Sequence, residues 1–426
     1  MSPRRIAVAL PVLLAGACMV GPNYHRPPAP VPEAFKEMPK EGTSTAVSWK
    51  TAQPGEAAQR TKWWETFGDP DLNALEERVN VSNQTIAQAE AQYRAARALV
   101  AGVRSSLFPS LGVSPSAARS SGIVTSAKPA SGQAAPAVTT YEVPVEAGWE
   151  LDLFGQVRRS LQAQVASAVA SAADLESVRL AMRAEAAADY FLLRGTDAEI
   201  QLLQKTVAGY QAELNLTENR FRQGVASGID VAQARTQLES TRVQATDLQI
   251  TRAQLEHSLA VLAGQPPAGF SMSAAPIGVA PPVIPVAVPS ELLERRPDVA
   301  AAERRMAAAN AQIGVAVAAY YPSVSLSGLV GYEGSAIAGL FSLPNRIWSL
   351  GASLAETIFD AGKRHAAYRQ AQASYDGTVA AYRQTVLAAL QDVEDNLVAL
   401  RVLAEEVHYQ TVAVVEAERA LSTLLA

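Results

Sequence analysis

Few side chains in this chain are placed to do chemistry, and those that are point to attachment and charge rather than to catalysis. Cys18 is the lone cysteine. It follows Ala15-Gly16-Ala17, the small residues that precede a cleavage point, and before them stand Arg4, Arg5 and the apolar run Ile6 to Leu14. That order is an export signal. A cysteine directly after it has the placement of a thiol that is acylated, and stable anchoring by acyl chains generally takes more than one of them. The other reading is a plain Ala-x-Ala cleavage beside an incidental cysteine, because position −3 is Ala15 where acylated leaders usually carry leucine. Asp392 and Asp395 stand three apart in a helical stretch and so share one side of it. Glu142, Glu146, Glu150 and Asp152 alternate with apolar residues. His25, His257, His365 and His408 are scattered without ligand spacing, so no metal site is expected. The six methionines are dispersed as well. No phosphate loop, nucleophile elbow or triad pattern is present, and no cofactor or enzyme activity is expected.

A net charge of −5 and a pI near 5.6 carry no nucleic-acid footprint. Hydrophobic residues make up 49% and charged residues 18%, which rules out disorder over most of the length. No stretch after residue 18 is long and apolar enough for a transmembrane helix, so a membrane crossing would require a closed barrel.

The elements that hold these residues are duplicated. Leu107-Phe108-Pro109-Ser110-Leu111 and Tyr320-Tyr321-Pro322-Ser323-Val324 each follow an Ala-rich helical stretch, and after each the apolar period falls from 3.6 to 2. Phe154-Gly155-Gln156-Val157-Arg158-Arg159 and Phe359-Asp360-Ala361-Gly362-Lys363-Arg364 then mark the return of helical periodicity. The first copy predicts a helix from Asp69-Pro70 to about Phe108, a strand over Leu111–Ala117, a Ser/Gly/Ala/Pro loop over about 118–139, and a strand over Tyr141–Phe154. On that last strand Tyr141, Val143, Val145, Ala147, Trp149, Leu151 and Leu153 form one face and the acidic residues the other. A helix from about Gly155 to Phe221 follows, a rod of roughly 100 Å at 1.5 Å per residue. After a turn at Gly224–Gly228, a helix returns over about 229–263. Its seam runs Val231, Ala234, Leu238, Thr241, Ala245, Leu248, Arg252, Leu255, Leu259 and Leu262, in coiled-coil steps of three and four. In the second copy Val386, Leu390, Val393, Leu397, Leu400, Ala404, Val407, Thr411 and Val414 make a like seam.

The expected domains are a signal peptide (1–17), an acylated, extended, Pro-rich tether (18–62), repeat one (63–264), a Pro-rich connector (265–296) and repeat two (297–426). Repeat two shows no counterpart of the returning helix, which would leave its seam exposed and the 426-residue chain poor at assembly. Four strands cannot close a barrel. Two chains would supply eight strands, three twelve and four sixteen, and eight leave no lumen.

The chain resembles the outer membrane factors, the TolC-like channels, in their acylated NodT-type subfamily. Val20-Gly21-Pro22-Asn23-Tyr24 after Cys18, Trp63-Trp64 through Phe67-Gly68-Asp69-Pro70 with Leu72, and Arg296-Pro297-Asp298-Val299 with Glu303 carry the resemblance. Leu153-Phe154-Gly155, Phe359-Asp360-Ala361-Gly362-Lys363 and Asn219-Arg220-Phe221 with Gly224 add to it. The resemblance implies an α+β, mainly α fold: a homotrimer whose twelve-stranded β-barrel sits in outer-membrane lipid and continues as a periplasmic α-helical coiled-coil barrel. It further implies a periplasmic adaptor and an inner-membrane transporter of the resistance–nodulation–division type as partners, with multidrug-type efflux as the function. Asp392 and Asp395 fall where such channels close, and three copies would stack carboxylate rings there; a solvated face beside the seam explains the pair equally. The wet-face acids would give the mouth a preference for cations. The rival readings are a trimeric adhesin, whose strands form one terminal block, and a periplasmic coiled-coil scaffold, which leaves the alternating strands unexplained. Arg296-Pro297-Asp298 reads as a helix cap.

Overall fold

The structure, a computed structural model, describes residues 19–29, 32, 35–37, 62–121, 137–278, 282 and 295–425. Its helices are α1 (Pro70–Ser82), α2 (Gln84–Ser105), α3 (Gln156–Arg222), α4 (Gly228–Leu262), α5 (Pro297–Ala318) and α6 (Lys363–Leu425). Its strands are β1 (Ser110–Val113), β2 (Ser116–Ser120), β3 (Val138–Leu151), β4 (Ser323–Gly334) and β5 (Arg346–Ala355). The chain divides into two compact units. One takes Met1–Pro30, Ala95–Ala170 and Ala302–Ala388; the other takes Val31–Arg94, Ser171–Ala301 and Ala389–Ala426. Each unit thus draws on both repeats.

The first unit holds the sheet. Strands β1 and β4 begin at Ser110 and Ser323, directly after the two prolines that punctuate the sequence. The strand expected over Leu111–Ala117 is two strands, both paired antiparallel to β3. Pro115 separates them, because it has no N–H to give the ladder; Ser114 N donates to Pro144 O instead, at 3.3 Å. The sheet order is β1-β3-β4-β5, with β2 also on β3. Strand β2 reaches Ser120, into the stretch expected as loop.

Helix α3 runs unbroken for 67 residues through Gly195 and Gly209. The helix expected from Asp69 to Phe108 is two, α1 and α2. Asn83 interrupts it: its Oδ1 accepts from Ile86 N at 3.0 Å, capping α2, and its Nδ2 donates to Leu262 O at 2.8 Å. Asp69 caps α1 through Asp71 N and Leu72 N, and Pro70 occupies the first turn. All ten α4 seam residues are buried or half-buried. On α6 the seam is buried at Val386 and Leu390 and half-buried at Val393 and Leu397. From Leu400 to Val414 its residues are exposed.

The second unit has an aromatic and aliphatic core of Trp64, Leu72, Leu75, Val79, Ile86, Tyr190, Leu193, Leu259 and Leu262. Just past α4, Gly264 has φ +68°, and a Cβ there would lie 2.1 Å from Ser82 O. Gly264→Ala is therefore expected to lower stability by at least about 2 kcal/mol, since both the backbone conformation and the space exclude it. Gly269→Ala, with nothing within 4 Å, should stay within about 0.5 kcal/mol of the parent when all three proteins are unfolded in urea.

Residues 19–29 and 35–37, expected as a tether rather than a packed element, form no helix or strand, with a turn at Lys36–Glu37, yet they pack. Phe35 is buried, and Lys36 N and Glu37 N donate to the two carboxylate oxygens of Glu394 at 2.8 and 3.1 Å. In the first unit, Arg159 Nε and Nη2 donate to the carbonyls of Val20 and Gly21 at 2.9 and 3.0 Å. Asn310 holds Pro22 O at 3.1 Å.

Candidate functional site

The register of the sheet sorts its side chains into two chemically opposite faces. On one lie Val143, Val145, Ala147, Trp149 and Leu151 of β3, paired with Tyr332, Val330, Gly328, Leu326 and Val324 of β4. Trp348, Leu350 and Leu354 of β5 extend that face, and Leu111 and Val113 of β1 extend it on the other side. Its flanks are bare, with Leu350 82% exposed and Trp348 69%, while Val143, Leu326 and Tyr332 between them are half-buried. The opposite face carries Glu142 opposite Glu333, Glu146 opposite Leu329, and Glu150 opposite Ser325. The Ser325 and Ser353 hydroxyls are hydrogen-bonded at 2.7 Å on it. A sheet with one apolar face and one acidic, hydroxyl-bearing face suits lipid on one side and water on the other. Strands β3, β4 and β5 have 14, 12 and 10 residues, enough for a tilted strand to cross a bilayer.

Asp152 does not join the wet face. It lies past the end of β3 and caps α3, its oxygens accepting from Val157 N at 3.1 Å and Arg158 N at 2.8 Å. Asp360 does the same for α6, accepting from Gly362 N at 3.0 Å and Arg364 N at 3.1 Å. Arg364 pairs with it at 2.7 Å and holds its carboxyl below the usual range. The duplicated motif is thus a strand-to-helix corner, with a carboxylate on the first N–H groups of the helix and an arginine neutralising it.

Asp392 and Asp395 lie within α6, and both are exposed. The structure gives Asp392 a partner that sequence reading missed. Arg296, just before α5, donates to Asp392 Oδ2 at 3.0 Å and to Asp298 Oδ2 at 2.8 Å. The guanidinium is held above its usual range, first by Asp298 and then by Asp392. Arg296-Pro297-Asp298 is therefore more than a cap. Asp395 accepts from Gln391 at 3.3 Å. Cys18 lies outside the described residues.

No helix among the described residues is long and apolar enough to cross a membrane.

A family model described as Outer membrane efflux protein matches residues 75–265 and 288–424. The probable efflux pump outer membrane protein TtgC of Pseudomonas putida is 30% identical over 423 residues, covering 96% of this chain and 83% of that one. Outer membrane protein OprJ of Pseudomonas aeruginosa is 31% identical over 406 residues, with 94% and 81% covered. The solved outer-membrane channel OprN superposes with a TM-score of 0.77 at 33% identity, covering 90% of this chain and 83% of that one.

Proposed function

This chain belongs to the outer membrane efflux protein family and is an outer-membrane efflux component; from that premise we propose that three copies close one barrel and pass substrate through it chemically unchanged. The observation that carries the reading is the open, two-faced sheet. Its outer members, β1 with β2 on one side and β5 on the other, have no further strand beyond them among the described residues. An open edge in a bilayer is not tolerated, because unpaired N–H and C=O groups find no water there. Strands β1 and β2 follow one another along β3 and count as one position, so each copy offers four. Three copies then make a twelve-stranded wall with β5 of one beside β1–β2 of the next, wide enough for a lumen.

In that wall the apolar face meets lipid, and Glu142, Glu146 and Glu150 line the water. Cys18 carries the acyl anchor. The partners are a periplasmic adaptor and an inner-membrane pump of the resistance–nodulation–division type, and the pump supplies the energy. Native mass spectrometry of the detergent-extracted chain and single-channel recording test this together. A trimer that conducts supports it and overturns the expectation of poor assembly; a monomer that stays in water without detergent overturns the proposal.

Asp392 and Asp395, repeated three times, form acidic rings on the lumen side of the helical wall, with Arg296 tying α5 to α6 through Asp392. Asp395→Ala should raise conductance in planar bilayers and weaken cation preference. Arg296→Ala should raise it further, because the tie is lost while both carboxylates remain. Conductance unchanged in both variants would remove this segment from the closure.

A further inference from the structure

The turn joining β4 to β5 lies at the end of the sheet away from the helices, since α2, α3, α5 and α6 all meet the strands at the opposite end. Residues 335–345 fold over the apolar face. Phe341 packs edge-on against Tyr332 with ring centroids 5.3 Å apart, and Tyr332 shares its face with Val143 and Val330. Leu340, nearly buried, sits above Gly334 of the same face, where a Cβ would be 3.2 Å from Leu340 Cδ1. The turn is internally braced: Ser342 N donates to Gly339 O at 3.0 Å and Asn345 Nδ2 to the same carbonyl at 3.0 Å.

Bracing the turn this way leaves its largest apolar groups bare. Ile337, Phe341 and Leu343 are 70%, 67% and 78% exposed, and Trp348 on the same face is 69%. Arg346, paired in register with Tyr332, begins β5 on this same face. It is exposed. A lumen-facing turn would present these groups to water. Aromatic and aliphatic side chains rimmed by an arginine fit the boundary between acyl chains and head groups instead.

We propose that residues 336–343 are a second membrane anchor, a wedge in the outer lipid leaflet, with Ile337, Phe341 and Leu343 among the acyl chains and Arg346 on a lipid phosphate. The inference rests on the reading of the apolar face as lipid-facing and adds to it a lipid-binding loop.

The test uses the full chain in phosphatidylcholine nanodiscs, labelled with a polarity-sensitive fluorophore at Ile337→Cys, Leu350→Cys or Ser349→Cys. The unsubstituted chain, labelled in parallel, gives the background from Cys18. Acyl-brominated lipid should quench the label at 337 as it does at 350, while aqueous iodide should reach 349 and leave 337 several-fold less affected. Iodide quenching at 337 equal to that at 349 overturns the wedge, and so does a label reached by neither quencher, which would mean protein covers the turn. Loss of lipid quenching at 350 as well would instead sink the membrane wall itself. With brominated phosphatidylglycerol admixed, Arg346→Gln should cut the preference for anionic lipid at 337 roughly fivefold; an unchanged preference overturns the phosphate contact.

Discussion

Arg159→Met is expected to destabilise the sheet-bearing unit by about 3 kcal/mol and to set the N-terminal strap loose. The side chain is 1% exposed, and burial pulls its pKa down. Its partners are neutral: the carbonyls of Val20 and Gly21, Asn23 Oδ1 at 3.3 Å and Gln162 Oε1 at 3.0 Å. A buried guanidinium compensated by carbonyls makes those carbonyls part of the fold. Removing it orphans several acceptors at roughly 1–3 kcal/mol each, less what water recovers at the strap's edge. The fit is close, since a Cβ on Gly21 would lie 2.5 Å from Gly314 Cα, and one on Gly314 would lie 2.7 Å from Arg159 Cδ. Val20 N, which donates to Phe154 O at 3.2 Å, reports release of the strap by amide hydrogen exchange. Arg158→Met is the control. Its guanidinium is 30% exposed and pairs with Asp152, whose capping bonds to Val157 N and Arg158 N survive, so the loss should stay under about 1 kcal/mol. A strap that exchanges as slowly in Arg159→Met as in the parent would sink the idea.

Much of the architecture was legible because it rests on local signals repeated twice. Pro109 and Pro322 fix where helices give way to strands, alternation over β3 and β4 names their two faces, and the three-four spacing on α4 picks out side chains that the structure buries or half-buries. What could not be read depends on partners distant in sequence. Asn83 looks like a polar residue inside a helix until the carbonyl of Leu262 claims its amide. Asp152 alternates correctly with Leu151 and Leu153, yet the start of α3 recruits it as a cap. Arg158 and Arg159 are equivalent by composition, and only the strap decides that one is half-exposed and the other sealed. Asp392 was visible as an acid on α6, but its arginine comes from the start of α5. The signal that could have found Arg296 was the pair of carboxylates available to it, Asp298 being the nearer in sequence.

Glu76→Gln should do the opposite of most core substitutions and stabilise the second unit by about 3 kcal/mol at pH 8. Glu76 is fully buried on α1 among Leu72, Leu75 and Val79, and neither carboxylate oxygen has a hydrogen-bond partner among the described residues. Burial pushes its pKa up to about 7; the charge of Arg183 pulls it down and Glu77 pushes it further up. Arg183 is committed elsewhere, donating to Asn80 Oδ1 and lying 5.0 Å over the Trp64 ring. Below about pH 4.5 the carboxyl is protonated both folded and unfolded, and it costs the fold nothing extra. Between about 4.5 and 7 the folded state retains a proton that the unfolded state releases, so stability falls as pH rises through that window and stays low above it. The spread between those values corresponds to roughly 3 kcal/mol. Glutamine keeps the shape of the protonated acid and cannot ionise, so the variant should lose this part of the pH dependence and match the parent near pH 4. Urea midpoints of both proteins from pH 4 to 8 in one detergent check this. Parallel curves, with no divergence between pH 5 and 7, would mean that Glu76 is ionised and satisfied in the folded chain, and that the Arg183 pair outweighs burial.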